Sequence, residues 1–396
     1  MSLAPLRLNK KEDRRLRAGH VWVFSNEVDN RATPLSGFEP GQAVVIEDSQ
    51  GRALGTGYVN PHALICARLV TRDDRVLDRS LLVHRLNIAL SLRDRLYDAP
   101  YYRLVFGDSD ALPGLVVDRY GDVLVAQITT AGMERLKDEI AGALQKVLRP
   151  RALLFRNDTS TRELEGLSSY VETAFGETPE RVMVEENGLR FEASPTGGQK
   201  TGWYYDQRAN RGRLRAYVSG ARVLDLFSYL GGFGVQAAAA GAESVVCIDS
   251  STKAIDGIRR NAELNQVDQR VSALHADVFD ALKDLRAERE RFDVVVIDPP
   301  AFIKRKKDIK KGTQTYQRIN QMAMQVLARD GMLASCSCSY HMARESLLDV
   351  LLKTSRHLDR FLQIAEQGHQ GPDHPVHPAI PETAYLKAFF ARVLPS

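Results

Sequence analysis

Cysteine is scarce in this chain: four residues in 396, at positions 66, 247, 336 and 338. So few and so scattered thiols exclude the disulfide framework that staples small secreted domains. Long apolar runs are missing as well. No stretch of 18 or more apolar residues occurs, so no membrane span is expected. The opening MSLAPLRLNKKEDRRLRAGH has no apolar core of the signal-peptide kind. These absences lead to the expectation of a cytoplasmic chain with reduced thiols and no membrane partner. Charge of one sign is also weak. A net +4 permits a polyanionic partner without demanding one, so local charge carries more information. Neither an internal repeat nor a low-complexity segment is visible.

What is present is ordinary globular composition, 44% hydrophobic and 26% charged, at a length that suggests two or three domains. Residues 1–75 read as a small β-rich module, with strand-like runs at Val21–Phe24, Ala43–Ile46 and Ala63–Val70 between turn clusters. The charged stretch 71–75 reads as a linker. Residues 76–183 read as a compact α+β module. Its helix at Ser80–Leu96 places Leu82, Leu86, Ala89 and Leu90 on one face, and a second helix is expected over Met133–Val147. From 184 to 396 apolar runs alternate with helical segments: Val223–Phe227, Val245–Asp249, Val271–Asp277, Val294–Asp298 and Met332–Ser337, with a helix at Tyr316–Ala328 after the fourth. That alternation predicts an α/β fold, a parallel, doubly wound Rossmann-like sheet.

Ligands collect at the carboxyl ends of such strands, and there the sequence places acids. Asp225 lies in RVLDLFSYLGGFG, where Gly231, Gly232 and Gly234 allow close backbone approach. The spacing does not match GxGxxG, so a tight pyrophosphate turn is not supported. Asp249, 24 residues on, suits the two hydroxyls of a ribose. Asp277 suits an adenine amino group. The plainer reading of each is a helix cap.

These acids, with DPPAF at 298–302, make the C-terminal half resemble the class I S-adenosylmethionine-dependent methyltransferases. The resemblance implies S-adenosyl-L-methionine as cofactor. It implies that Asp225, Phe227, Ser228, Tyr229 and Gly231 wrap its methionine part and that Asp249 and Ser250 hold the ribose. It also implies that Asp277 and Val278 face the adenine and that Asp298 reaches the acceptor base. TGWYYDQRANR at 201–211, VLDLFSYLGGFG, IDPPAF, SCSCSYH and PETAYLKAFF at 381–390 together are similar to one narrower family. It is the bacterial 23S rRNA cytosine-C5 methyltransferase family with an N-terminal PUA domain. GHVWVFSNEV, PGQAVVIED and GDSDALPGLVVDRYGD fit its first two domains. The family implies a PUA-like barrel, 23S rRNA as partner, and a homodimer.

Carbon 5 of cytosine needs a thiolate added at carbon 6 before it can attack a sulfonium methyl, and cysteine suits that task. Cys338 falls just past the expected strand and is taken as nucleophile over Cys336, with Asp298 as the second catalytic residue. The bland alternative is a pair of small buried thiols. A disulfide or a zinc site is disfavoured by spacing, and no metal is expected, His374 and His377 lying in a Pro-rich loop. Related enzymes carry a cysteine after the DPP proline, whereas position 301 is Ala, so the base that removes the carbon-5 proton is unassigned.

RNA contacts are expected from Pro299, Pro300, Phe302 and the basic loop 303–312, with Lys304, Arg305, Lys306 and Lys307. Arg14 and Arg15 form a second basic cluster. The segments Lys200-Thr201-Gly202 and Asp206-Gln207-Arg208 precede the sheet, and Gln207 and Arg208 face either the methionine carboxylate or RNA. Two other functions fit parts of the pattern. An amino-group methyltransferase uses Asp-Pro-Pro-aromatic, but here the ring stands one place late, at Phe302. A noncatalytic RNA-binding ribosome-assembly protein would keep only the fold.

Overall fold

The first of two compact units in the computed structural model carries two five-stranded sheets, the second a two-stranded hairpin and a seven-stranded sheet. Residues 3–73, 75–198 and 201–395 are described. Asp74 of the expected linker and Lys200 lie outside them.

The first unit comprises Met1–Val182, Ser194–Tyr205 and Pro372–Thr383. Its leading sheet contains β1 (Ala4–Arg7), β2 (Trp22–Phe24), β3 (Gln42–Glu47), β4 (Ala53–Val59) and β5 (Ile65–Thr71), in the order β1-β3-β4-β5-β2. Alternation sets the inner face: Val44 and Ile46 are fully buried while their neighbours are not. Cys66 is buried there too and serves as a small apolar side chain. Short helix α1 (Asp13–Arg17) packs Leu16 onto this core.

Helix α2 (Arg79–Leu96) begins where Asp78 accepts a hydrogen bond from Leu81 N at 2.9 Å. Leu82, Leu86 and Ala89 form its buried face, as their spacing predicts. The second sheet has β6 (Tyr101–Phe106), β7 (Leu115–Tyr120), β8 (Val123–Ile128), β9 (Ala152–Asn157) and β10 (Tyr170–Phe175), ordered β10-β9-β8-β7-β6. Helices α3 (Ala131–Arg135) and α4 (Lys137–Leu148) form the crossover that makes β8 and β9 parallel. They replace the single helix expected over 133–147, the break falling at Leu136.

The second unit comprises Met183–Ala193, Asp206–Gly371 and Ala384–Ser396. A hairpin of β11 (Val182–Glu186) and β12 (Leu189–Ala193) leads to α5 (Arg208–Leu214). The main sheet has β13 (Arg222–Leu226), β14 (Ser244–Asp249), β15 (Val271–His275), β16 (Phe292–Ile297), β17 (Leu327–Ser337), β18 (Arg360–His369) and β19 (Lys387–Pro395), ordered β15-β14-β13-β16-β17-β19-β18. The strands from β13 to β17 pair in parallel, and β19 runs antiparallel between β17 and β18. The helices are α6 (Gly232–Ala239), α7 (Thr252–Leu264), α8 (Val278–Ala287), α9 (Ile309–Val326) and α10 (Arg344–His357). Leu224 and Leu226 join a core with α8, α9 and α10, whereas Val223 joins a second core with α5, α6 and α7. The sheet is thus covered on both faces, and its strands read as apolar runs for that reason. Strand order reverses between β13 and β16, which creates the crevice where such sheets bind ligands.

Two sequence expectations shift here. Helix α9 starts at Ile309 rather than Tyr316, so Lys310 and Lys311 stand in its first turn and not in a loop. Strand β15 stops at His275, and Asp277 lies beyond it. Among the described residues, no helix is long and apolar enough to cross a membrane.

Candidate active site

Asp225 is buried near the end of β13, level with Cys247 on β14 and Val296 on β16. Its Oδ2 accepts from Gly234 N at 2.9 Å, while Oδ1 is buried with no hydrogen-bond partner. Burial first, then the Asp298 and Asp249 charges, push its carboxyl up to about 7. An orphaned carboxylate oxygen beside two further acids fits a cationic ligand that brings its own donor. The ammonium group of S-adenosylmethionine meets that description, and its sulfonium adds a second positive charge.

The loop that follows is strained. Phe227 and Tyr229 both hold positive φ, +62° and +51°, without being glycine. Ser228 fixes the bend, donating to Asp225 O at 2.6 Å and accepting from Ile248 N at 3.0 Å. Gly231, at φ +79°, caps α6. Gly234 has another reason to be glycine: a Cβ there would lie 2.3 Å from Cys247 Sγ. Its lack of side chain serves helix–sheet packing, not ligand approach.

Asp249 ends β14 and accepts from Tyr229 N at 2.9 Å and Ser251 N at 2.9 Å. It therefore ties the strained loop to the start of α7, with exposed Ser250 beside it. Asp277 is exposed and caps a helix through one carboxylate oxygen. It is the N-cap of α8 and accepts from Phe279 N and Asp280 N. Val278 is buried in the core under α8.

Asp298 follows β16 by one residue. Gln207 Nε2 donates to its Oδ1 at 2.7 Å, and Gln207 Oε1 accepts from Asn210 Nδ2 at 2.7 Å. The segment before the sheet thus positions the acid of the DPP turn. Arg208, next along, is buried and lies 3.6 Å from the Glu186 carboxylate, which Arg211 also engages. Pro299 is buried and Pro300 exposed. The Phe302 ring meets Tyr316 edge-on at 4.9 Å and Phe227 edge-on at 6.3 Å.

The two cysteines separate. Cys336 is fully buried in β17, and burial raises its thiol well above the usual range. Cys338 is half-buried one residue past the strand, its Sγ 3.8 Å from Pro299 O. The thiol therefore sits at the DPP turn. No disulfide links any of the four cysteines.

Two residues near Cys338 escaped the sequence reading. Tyr316 OH is 2.8 Å from Ser337 Oγ and 2.9 Å from Ser339 Oγ, bracketing the cysteine. Lys387 is buried, and its Nζ donates to Ser339 O at 2.6 Å and Tyr385 O at 2.7 Å. The signal for it was a lone lysine opening the apolar run KAFFARVL.

The basic residues divide by surroundings. Lys304 to Lys307, Lys310 and Lys311 are exposed just after the DPP turn, Arg305 pairing with Asp308 at 3.2 Å. In the first unit Arg14 is exposed, whereas Arg15 donates to both Glu27 oxygens at 2.8 Å. His374 is buried against Asp373 at 2.9 Å, and among the described residues no cluster of His, Cys, Asp and Glu fits a metal ion.

The chain is similar to known proteins over nearly its whole length. Residues 164–392 match the family described as S-adenosylmethionine-dependent methyltransferase, and residues 6–72 match a PUA-like domain. Ribosomal RNA large subunit methyltransferase I of Erwinia tasmaniensis is 38% identical over 98% of both chains. The protein of the same name from Aliivibrio fischeri is also 38% identical over 98% of both. A candidate methyltransferase solved in complex with SAH superposes with a TM-score of 0.85 at 22% identity, covering 98% of this chain and 100% of its own. That last likeness bears on the fold.

Proposed function

The chain belongs to the S-adenosylmethionine-dependent methyltransferases, and from that membership we propose that it methylates carbon 5 of a cytosine in large-subunit ribosomal RNA, with Cys338 as covalent nucleophile. One observation carries the reading: the Cys338 thiol stands at the DPP turn, 3.8 Å from the carbonyl of Pro299, the residue that follows the positioned acid Asp298. The relatives' name supports the RNA, and the exposed lysines after the turn suit its phosphates.

When bound, the cofactor supplies a methyl group on a positively charged sulfur. The acid cluster of Asp225, Asp249 and Asp298 favours that charge. Asp225 offers its unpartnered oxygen to a donor, and Asp249 holds the loop that lines the site. Asp298 accepts from the cytosine amino group once the base is extruded from its stack. Cys338 Sγ then forms a bond to carbon 6, and the electron pair moved to carbon 5 makes that atom nucleophilic. After methyl transfer, loss of the carbon-5 proton restores the double bond and expels the thiolate.

Amino-group methylation needs an aromatic ring to stack on the base. Phe302 is instead held edge-on in a cluster with Tyr316 and Phe227. Cys338→Ala is expected to abolish methyl transfer while cofactor binding by calorimetry persists. Wild-type enzyme is expected to trap a covalent adduct with RNA containing 5-fluorocytosine. Full activity of the alanine variant, or an N-methylated nucleoside by mass spectrometry, would sink the assignment.

A further inference from the structure

Lys387 is a buried lysine held by two backbone carbonyls, one of them on the residue after Cys338. It opens β19, directly across from Ser337 of β17 in the antiparallel register. From there Nζ reaches past the strand end to Ser339 O, so the lysine is anchored on the residues either side of Cys338. A second carbonyl, Tyr385 O, takes another of its three N–H donors. Among the described residues, no carboxylate forms an ion pair with it. A lysine buried without a carboxylate is costly unless a nearby anion forms during function.

We propose that Lys387 is the positioning residue that keeps Cys338 as a thiolate, ready to add to the base. The inference rests on the reading of Cys338 as nucleophile. In this step the Sγ–H bond breaks, the proton passes to water, and the electron pair stays on sulfur beside the ammonium. When sulfur later leaves carbon 6, the same ammonium receives the thiolate it left.

The electrostatics run in the same direction. Burial lowers the Lys387 ammonium to about 8, and a Cys338 thiolate raises it again. Coupling of two charges is mutual, so the ammonium lowers the thiol by the same interaction. Other charged and titratable groups act on the same neighbourhood. Arg344, which donates to Gly368 O, adds positive charge toward Lys387. Cys336 and the Tyr316 hydroxyl each feel the Cys338 charge, and Cys336 also feels that of Asp298. Lys387 is thus the cation tied to the backbone next to the nucleophile.

The test is alkylation of Cys338 in the full chain by iodoacetamide, followed by peptide mass spectrometry from pH 5.5 to 10. Cys66, Cys247 and Cys336 are buried and serve as internal controls. Lys387→Gln keeps a donor and removes the charge. Its alkylation midpoint is expected about one pH unit higher, with about tenfold slower reaction at pH 7. Lys387→Arg is expected to restore rapid reaction at pH 7. It should also lose the second step near pH 8 that Lys387 titration gives the wild-type profile, because arginine stays charged. An unchanged midpoint in a folded Lys387→Gln variant overturns the proposal. If that variant does not fold, identical single-step profiles for wild type and Lys387→Arg overturn it instead. No RNA or cofactor is present, so the result stands apart from the Cys338→Ala transfer assay that decides the parent reading.

Discussion

Gln207 Nε2 donates to Asp298 Oδ1 at 2.7 Å. A carboxylate only accepts, so the amide must present its NH₂ to the acid and its oxygen to Asn210. Gln207→Glu places a second carboxylate against Asp298. Methyl transfer at pH 8 is expected to fall about 100-fold through misplacement of Asp298. Part of the loss should return at lower pH, where one carboxyl of the pair takes a proton. A kcat profile with no such recovery would contradict the positioning role.

Asp225 makes stability depend on pH. Its folded-state titration is raised to about 7, burial being the main cause. The protonated form is the favoured one, so its contribution is fully present below about pH 4 and is lost as the pH rises through 7. Asp225→Asn is expected to melt above wild type at pH 8.5, by about 1 kcal/mol or roughly 2–4 °C. At pH 5.5 the gap should narrow. Cofactor affinity should drop in the same variant. Calorimetric melting at both pH values checks the first claim, and an equal gap at both refutes it.

The exposed lysines after the DPP turn should act on RNA capture, not on chemistry. Replacing Lys306, Lys307, Lys310 and Lys311 with Gln is expected to raise KM for RNA while kcat changes less than about threefold. Each lost phosphate contact should flatten the slope of log affinity against log salt by about 0.7 to 0.9. Binding measured across a salt series decides it.

Gly234→Ala drives a methyl group into Cys247 Sγ, 2.3 Å from the ideal Cβ position. The expected cost is about 1–3 kcal/mol. The double variant with Cys247→Ala should recover part of it, because the clash is with that sulfur. Denaturant melts of the four proteins in the cycle measure the coupling.

Cys336→Ala should keep transfer within about twofold of wild type and lose about 1 kcal/mol of stability to the small void it leaves. A loss of activity comparable to that of Cys338→Ala would show that the buried thiol takes part.

The parallel sheet was legible because both of its faces are covered, which writes strands as apolar runs and connections as amphipathic helices. Strand ends were legible less sharply. Asp249 does close β14, yet Asp277 stands beyond β15 and caps the next helix, a local role that composition cannot separate from ligand binding. The basic stretch looked like a loop because six cations crowd it, but the apolar stripe of α9 reaches back to Gly312 and orders its lysines. Lys387 was out of reach of local reading. Its neighbour Cys338 is distant in sequence, and the two meet only through antiparallel register. The half-burial of Cys338 against the full burial of Cys336 likewise depends on where β17 stops.

β19 is later in the chain than both strands it separates. During synthesis β17 and β18 are made before the strand that separates them. Lys387 joins the sheet only when residues 387–395 pair between them. A nascent chain stopped at β18 would hold the acid cluster of Asp225, Asp249 and Asp298 and the thiol, but not the cation beside the thiol. Order of translation therefore brings Lys387 to the Cys338 segment last of all the strands of this sheet.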